Sequence, residues 1–240
     1  MVNKFIIFFI TTVFIALFIS SCKKEKIEIE VPLYDSIYDM DSNVYQTVKI
    51  GNQWWMAENL KTKKYNNGEN IRQAQGDAFW IQQKPAYCKY NENANDLLYN
   101  WYAVTDTNGL APKGWHVATD NDYKLLEIHL GLTQAQADSI SWRGTNQGEK
   151  LKAKGLVSWR KYEDVWNTNS SGFNATAGSC RLPNATFGSP GLFSTGFWWC
   201  ATEAIANNKA YYRHLDYKTK NILRHSENKN YGMSVRCVKD

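Results

Sequence analysis

Apolar residues along this chain fall into stretches of different period. Phe5 to Ile19 form a nearly unbroken apolar run, interrupted only by Thr11 and Thr12. Ile27-Glu28-Ile29-Glu30-Val31 alternates, as an edge strand would. Val44 to Trp55 reads as a hairpin turning at Gly51-Asn52. Asn66-Asn67-Gly68 marks another turn, and Leu97 to Val104 is mostly apolar. The clearest helix begins at Thr119. Thr119-Asp120-Asn121-Asp122 has the form of a capping box, Tyr123, Leu126 and Leu130 share one face, and Gly131 stops the helix. A weaker helix is expected over Gln134 to Ser139 or over Glu149 to Lys154. From Ser158 onward the pattern is short strands and Gly/Asn/Ser turns, ending in a strand over Met233 to Val238. One α+β domain over 42–240 is the simplest account.

The first run has the layout of an export signal. Lys4 supplies the charged region, Phe5–Ile19 the apolar core, and Ser20-Ser21 the small residues before a cut. The run is short for a membrane span, which needs about 20 apolar residues. Cys22 stands directly after the small residues, a pattern that resembles the bacterial lipobox. The resemblance implies that residues 1–21 are cleaved and that Cys22 is acylated. One acyl chain binds membranes only marginally, at roughly 0.8 kcal/mol per buried methylene, so two or three chains would be needed for a permanent anchor. Lys23 and Lys24 follow the cysteine with no Asp there, which favours the outer membrane. Residues 22–41 read as a tether reaching at most about 60 Å.

Composition narrows the picture further. Without the leader roughly 220 residues remain, enough for one good-sized core. Aromatics make up 14% of the chain, with 10 Trp and 14 Tyr; part of that excess must serve the core, and such residues also build binding surfaces. The formal charge of +5 is mild and its lysines and arginines are scattered, which argues against nucleic-acid binding. Beyond Cys22 there are Cys88, Cys180, Cys200 and Cys237. An exported domain permits disulfides, and four cysteines allow three pairings.

Several stretches taken together resemble one family. They are Val48 to Leu60 (VKIGNQWWMAENL), Leu98 to Val104 (LYNWYAV), Ala111 to Val117 (APKGWHV), Asn169 to Phe173 (NSSGF), Trp198 to Glu203 (WWCATE) and Ser234 to Asp240 (SVRCVKD). In this order they resemble the Fibrobacter succinogenes major paralogous (FISUMP) domain, found on exported bacterial proteins, commonly lipoproteins, and largely unassigned in function. The resemblance implies a C-type-lectin-like fold, shared with the formylglycine-generating superfamily: a small twisted antiparallel sheet, two helices and long loops. It also implies disulfides Cys180–Cys200 and Cys88–Cys237, because Ala111 stands where some relatives have a cysteine.

No spacing supports catalysis. His116, His129, His214 and His225 form no zinc motif, and no Gly-x-Ser-x-Gly or Walker glycine loop is present. No cofactor is expected, although loop carbonyls leave room for calcium; Asp120, Asn121 and Asp122 fit helix capping better. In lectin-like folds the long-loop face near the last strands usually carries ligand. The ligand-binding candidates are therefore Trp198, Trp199, Tyr211, Tyr212 and Arg213, although alternation sends Trp198 and Trp199 to opposite faces and at least one of them into the core. The expectation is a lipid-anchored, non-catalytic module recognising glycan or a surface protein. The alternatives are a structural or adhesion component of a surface assembly, and an enzyme of the formylglycine-generating type.

Overall fold

In a computed structural model the residues described are 33–90, 96–155, 158–188, 193–205 and 208–240. The leader, Cys22 and the alternating Ile27–Val31 stretch lie outside them. The chain opens with strands β1 (Tyr34–Tyr38), β2 (Val44–Ile50) and β3 (Gln53–Met56), then α1 (Asp77–Trp80), β4 (Tyr87–Lys89) and β5 (Leu97–Asn100). The middle holds α2 (Trp101–Val104), β6 (Trp115–Val117), α3 (Asp120–His129), α4 (Gln134–Asp138), β7 (Ser141–Arg143) and α5 (Gln147–Leu151). Long strands follow, β8 (Thr195–Glu203), β9 (Lys209–Asp216) and β10 (Ile222–Asn228), and the chain closes with β11 (Gly232–Met233) and β12 (Cys237–Lys239).

These strands form three antiparallel sheets, ordered β1-β2-β3-β12-β6, β7-β10-β9-β8 and β11-β5-β4. The expected α+β, C-type-lectin-like arrangement of one small sheet and two helices is corrected by this finding. The fold is β-rich, and its five described helices run from four to ten residues. The physical reason lies after Ser158. Stretches that read as short strands broken by turns pair instead into β8, β9 and β10, the longest hydrogen-bonded ladder of the molecule.

Local signals are carried out closely where a turn or cap dictates them. β2 and β3 are joined by a two-residue turn, since Ile50 faces Gln53. Gly51 takes φ 58°, the left-handed value that the first position of such a turn demands. Thr119 caps α3, and its hydroxyl and the Asp122 carboxylate bond each other's backbone N–H reciprocally. The helix ends in a Schellman arrangement: Leu132 N–H donates to Glu127 C=O and Gly131 N–H to Ile128 C=O, with Gly131 at φ 109°. Of the two places considered for the weaker helix, Gln134–Ser139 is helical as α4 (Gln134–Asp138), while Glu149–Lys154 is helical only over Glu149–Leu151, the end of α5. Leu97 to Val104 divides at Asn100, whose side chain accepts from Ala103 N–H and starts α2. The segment read as tether supplies β1, which pairs with β2 from Tyr34 to Tyr38, and Pro32–Asp240 form one compact unit.

The aromatic excess goes largely into the interior. One core cluster gathers Tyr45, Tyr99, Trp199, Val235 and Cys237; a second gathers Val48, Trp55, Tyr123, Phe173 and Trp198. Strand β8 lies between them. Trp198 faces one cluster and Trp199 the other, as period-two alternation requires. A bulge after Trp199 shifts the β8–β9 register. It frees Cys200 C=O to accept from the Trp101 indole N–H and Ala201 N–H to donate to Ala118 C=O, which locks α2 and the approach to α3 onto β8.

Candidate functional site

Four of the five residues expected to meet ligand are buried. Trp198 and Trp199 are 2% and 0% exposed, Tyr212 8% and Arg213 1%; Tyr211 is half-buried. Each indole donates inward, Trp198 to Asn59 Oδ1 at 2.9 Å and Trp199 to Tyr99 C=O at 2.9 Å. The ring of Tyr211 lies 4.2 Å from the Arg224 guanidinium. The stretch is therefore structural over most of its length.

Arg213 belongs to an ion cluster that fastens α3 to the second sheet. Asp120 accepts from Arg213 Nη1 (2.8 Å), Arg224 Nε (2.8 Å) and Arg224 Nη2 (2.7 Å). Glu127 accepts from Arg213 Nε (2.6 Å) and from both terminal nitrogens of Arg143 (2.6 and 3.0 Å). Burial opposes the charge on Asp120, but the two guanidiniums outweigh it and hold the carboxyl far below the usual carboxylate range. Asp120 and Glu127 lie seven residues apart, on the helix face that also carries Tyr123. That spacing was the sequence signal for the cluster, whereas the pairing of their arginines across β7, β9 and β10 had none.

The motif stretches meet at a second buried node. Arg236 is fully buried and pairs with no carboxylate among the described residues. Its guanidinium donates to Asn59 Oδ1 (2.8 Å), Met56 C=O (2.9 Å), Phe173 C=O (2.7 Å) and Asn174 C=O (3.2 Å), and lies 4.6 Å from the Phe173 ring centre. Burial brings its pKa down to about 10, so it stays charged at neutral pH. Asn59 also accepts the Trp198 indole and donates to Asp96 Oδ2 at 2.8 Å. Four of the six stretches thus touch one guanidinium or its partner amide.

Neither expected disulfide is formed. Cys88, Cys180, Cys200 and Cys237 are buried free thiols. Cys88 sits in the third core cluster, Cys180 and Cys237 in the first and Cys200 in the second, so both proposed pairs join residues from different clusters. Burial pushes Cys88 and Cys180 up to about 11 and Cys200 up to about 12. Such thiols are poor nucleophiles.

The open concave site lies elsewhere. A cleft of about 310 Å³ is lined by Asn66, Val104, Asp106, Ala111, Trp115 and His116, among others, with the β8 bulge at Ala201 closing one side. Its walls are tied together locally. Asn66 N–H donates to Gly109 C=O at 2.8 Å, and the Asp106 carboxylate accepts from Asn108 N–H at 2.9 Å. On the rim, Asn67 donates to Asn108 and Asn108 to Glu69. His116 stands between two carboxylates, Nδ1 2.8 Å from Asp240 and Nε2 3.0 Å from Asp122. Partial burial disfavours the charged ring, but both carboxylates favour it more, and the pKa rises. A ring engaged at both nitrogens is held in the wall rather than free to act as a base. Among the described residues no group of three His, Cys, Asp or Glu side chains is placed to hold a metal ion. The calcium-prone Asp120 and Asp122 are engaged by arginines and by His116. In the sequence Trp115 and His116 stand within a family-like stretch; that they open onto a cleft depends also on the distant Asn66 and Ala201, which no local pattern announces.

Together these features define a β-rich domain whose motif residues build its interior and which carries a cleft lined by an aromatic, a carboxylate and an amide. The chain belongs to the Fibrobacter succinogenes major domain family, whose model matches residues 48–239. No curated protein and no solved structure matches it.

Proposed function

We propose that this protein is a lipid-anchored component of the cell envelope whose folded domain is a non-catalytic binding module for glycan, held at the outer membrane through Cys22. Family membership supports a surface or envelope setting. The leader layout and the position of Cys22 support the anchor.

The observation that carries the binding reading is the Trp115 cleft. At about 310 Å³ it falls at the small end of ligand sites, which run from roughly 300 to 1,000 Å³, and suits one or two sugar rings. Trp115 offers an apolar face for stacking. Asp106 and Asn66 offer acceptors and donors for hydroxyls, and His116 a ring held in place by Asp122 and Asp240. The reading is tested by screening the full chain against a glycan array beside Trp115→Ala. A glycan bound by the first and lost in the variant is expected. Equal binding by both would remove the cleft from the account.

A further inference from the structure

A second surface of different chemistry lies on the segment 160–166 and the turn at 217–220. Trp166 is 65% exposed, although everything behind it is anchored. The Trp159 indole is buried and donates to Ala175 C=O at 2.7 Å; Val165 is buried; and Trp166 N–H donates to Glu149 Oε1 at 2.7 Å. Between them, Val165 N–H closes a tight turn on Tyr162 C=O with Glu163 at φ 35°, in the left-handed region that few side chains adopt. The outward ring is therefore held by a fixed backbone. A contiguous apolar surface, rather than one exposed ring, marks a contact surface, so what stands beside Trp166 decides its role.

Aromatic and basic side chains stand on the same two segments. Tyr162 and Tyr217 meet edge to face with ring centres 5.7 Å apart. Lys218 Nζ lies 5.9 Å from the first ring centre and 5.5 Å from the second, and Lys161 Nζ lies 5.8 Å from the Trp166 ring. The two segments carry four basic residues against two acidic ones, and two further carboxylates adjoin them, Glu149 at the Trp166 N–H and Asp216 at the Lys218 N–H. One of the acids, Asp164, is already paired with Lys220 at 2.6 Å. Lys161 and Lys218 have no carboxylate partner among the described residues, and their ammonium groups stand over aromatic rings, where they remain open to an anion.

We propose that this ledge binds a negatively charged polysaccharide, with sugar faces against Trp166 and Tyr162 and carboxylate groups against Lys161 and Lys218. Rings paired with cations suit a polymer in which each flat apolar face carries an anion. A neutral glycan would leave both lysines unused, and a bare anion would leave the rings unused. The ledge shares no residue with the Trp115 cleft, so the two readings stand or fall separately.

The test is binding of the full chain in detergent to polygalacturonate, with dextran as the neutral polymer and phosphatidylglycerol vesicles as the anionic lipid surface. Polygalacturonate should bind, and dextran should not. Trp166→Ala, and separately Lys161→Gln with Lys218→Gln, should each weaken binding at least about tenfold, and the lysine pair should flatten the salt dependence. Trp115→Ala should leave it unchanged. Absence of polygalacturonate binding, binding indifferent to these variants, or vesicle binding that Trp166→Ala abolishes while the polymer is ignored would each overturn the proposal. Unchanged denaturation midpoints show that the exposed substitutions have left the fold intact.

Discussion

Arg236 Nε donates to Asn59 Oδ1 at 2.8 Å, and the same oxygen accepts the Trp198 indole at 2.9 Å. One amide oxygen therefore joins the residue preceding β12 to the β3 exit and to strand β8. Removing the amide leaves two buried donors without that acceptor, and a buried group left unsatisfied costs about 1–3 kcal/mol, more where it is charged. Asn59→Leu and Arg236→Leu are each expected to destabilise by that amount in urea denaturation. Arg236→Lys should recover little of it, because an ammonium cannot reach four acceptors arranged around a planar fork. Losses below about 1 kcal/mol would show that the node is incidental.

His116 predicts a pH signature. Its folded pKa is raised above 6.5, so the folded state holds the proton more tightly than the unfolded one. The stabilisation is full below about pH 6.5 and is lost as pH rises through the folded value. NMR titration should place His116 above 6.5, and Asp240→Asn should bring it down. A His116 that titrates at or below 6.5 would contradict the two-carboxylate geometry.

Lys152 predicts the opposite slope. It is fully buried, with Nζ 2.6 Å from both Asp216 C=O and Thr219 C=O. Burial lowers its pKa from 10.5 to about 8. Between those values the unfolded state binds more protons, so stability should rise with pH there. Lys152→Met should remove that rise, measured as the difference in unfolding free energy between the two proteins from pH 8 to 10.5.

The cysteines give a direct count. With all four buried and unpaired, a thiol reagent should label none of them in the native protein and Cys88, Cys180, Cys200 and Cys237 together in urea. Non-reducing peptide mapping that finds Cys180 joined to Cys200, or Cys88 to Cys237, would restore the bridges that the structure removes.

The leader gives a fifth expectation. Cys22→Ser should abolish incorporation of labelled fatty acid and release the protein from the membrane fraction. Persistent labelling would place the modification elsewhere.

What could be read beforehand was what short-range chemistry decides. The Gly51 turn needs a positive φ, the Thr119–Asp122 box satisfies donors within four residues, and strand alternation alone separates Trp198 from Trp199. The features that went unread join distant residues. Arg213 looked like a ligand contact because nothing near it in the chain announces that Asp120 and Glu127 lie opposite. The fold class was misjudged because the pairing of β8, β9 and β10 is a long-range fact, while helix α3 is a local one. The cleft is the extreme case. Asn66, Asp106 and Trp115 are brought together by turns whose own sequences say nothing of the space between them.

The central claim is that binding takes place beside Trp115 and not along Trp198 to Arg213. The most direct measurement is the set of indole N–H resonances of the whole protein, titrated with the best glycan from the array. Movement of the Trp115 signal, with the Trp198 and Trp199 signals still, is the predicted result. Movement of Trp198 or Trp199 with Trp115 unchanged would contradict it.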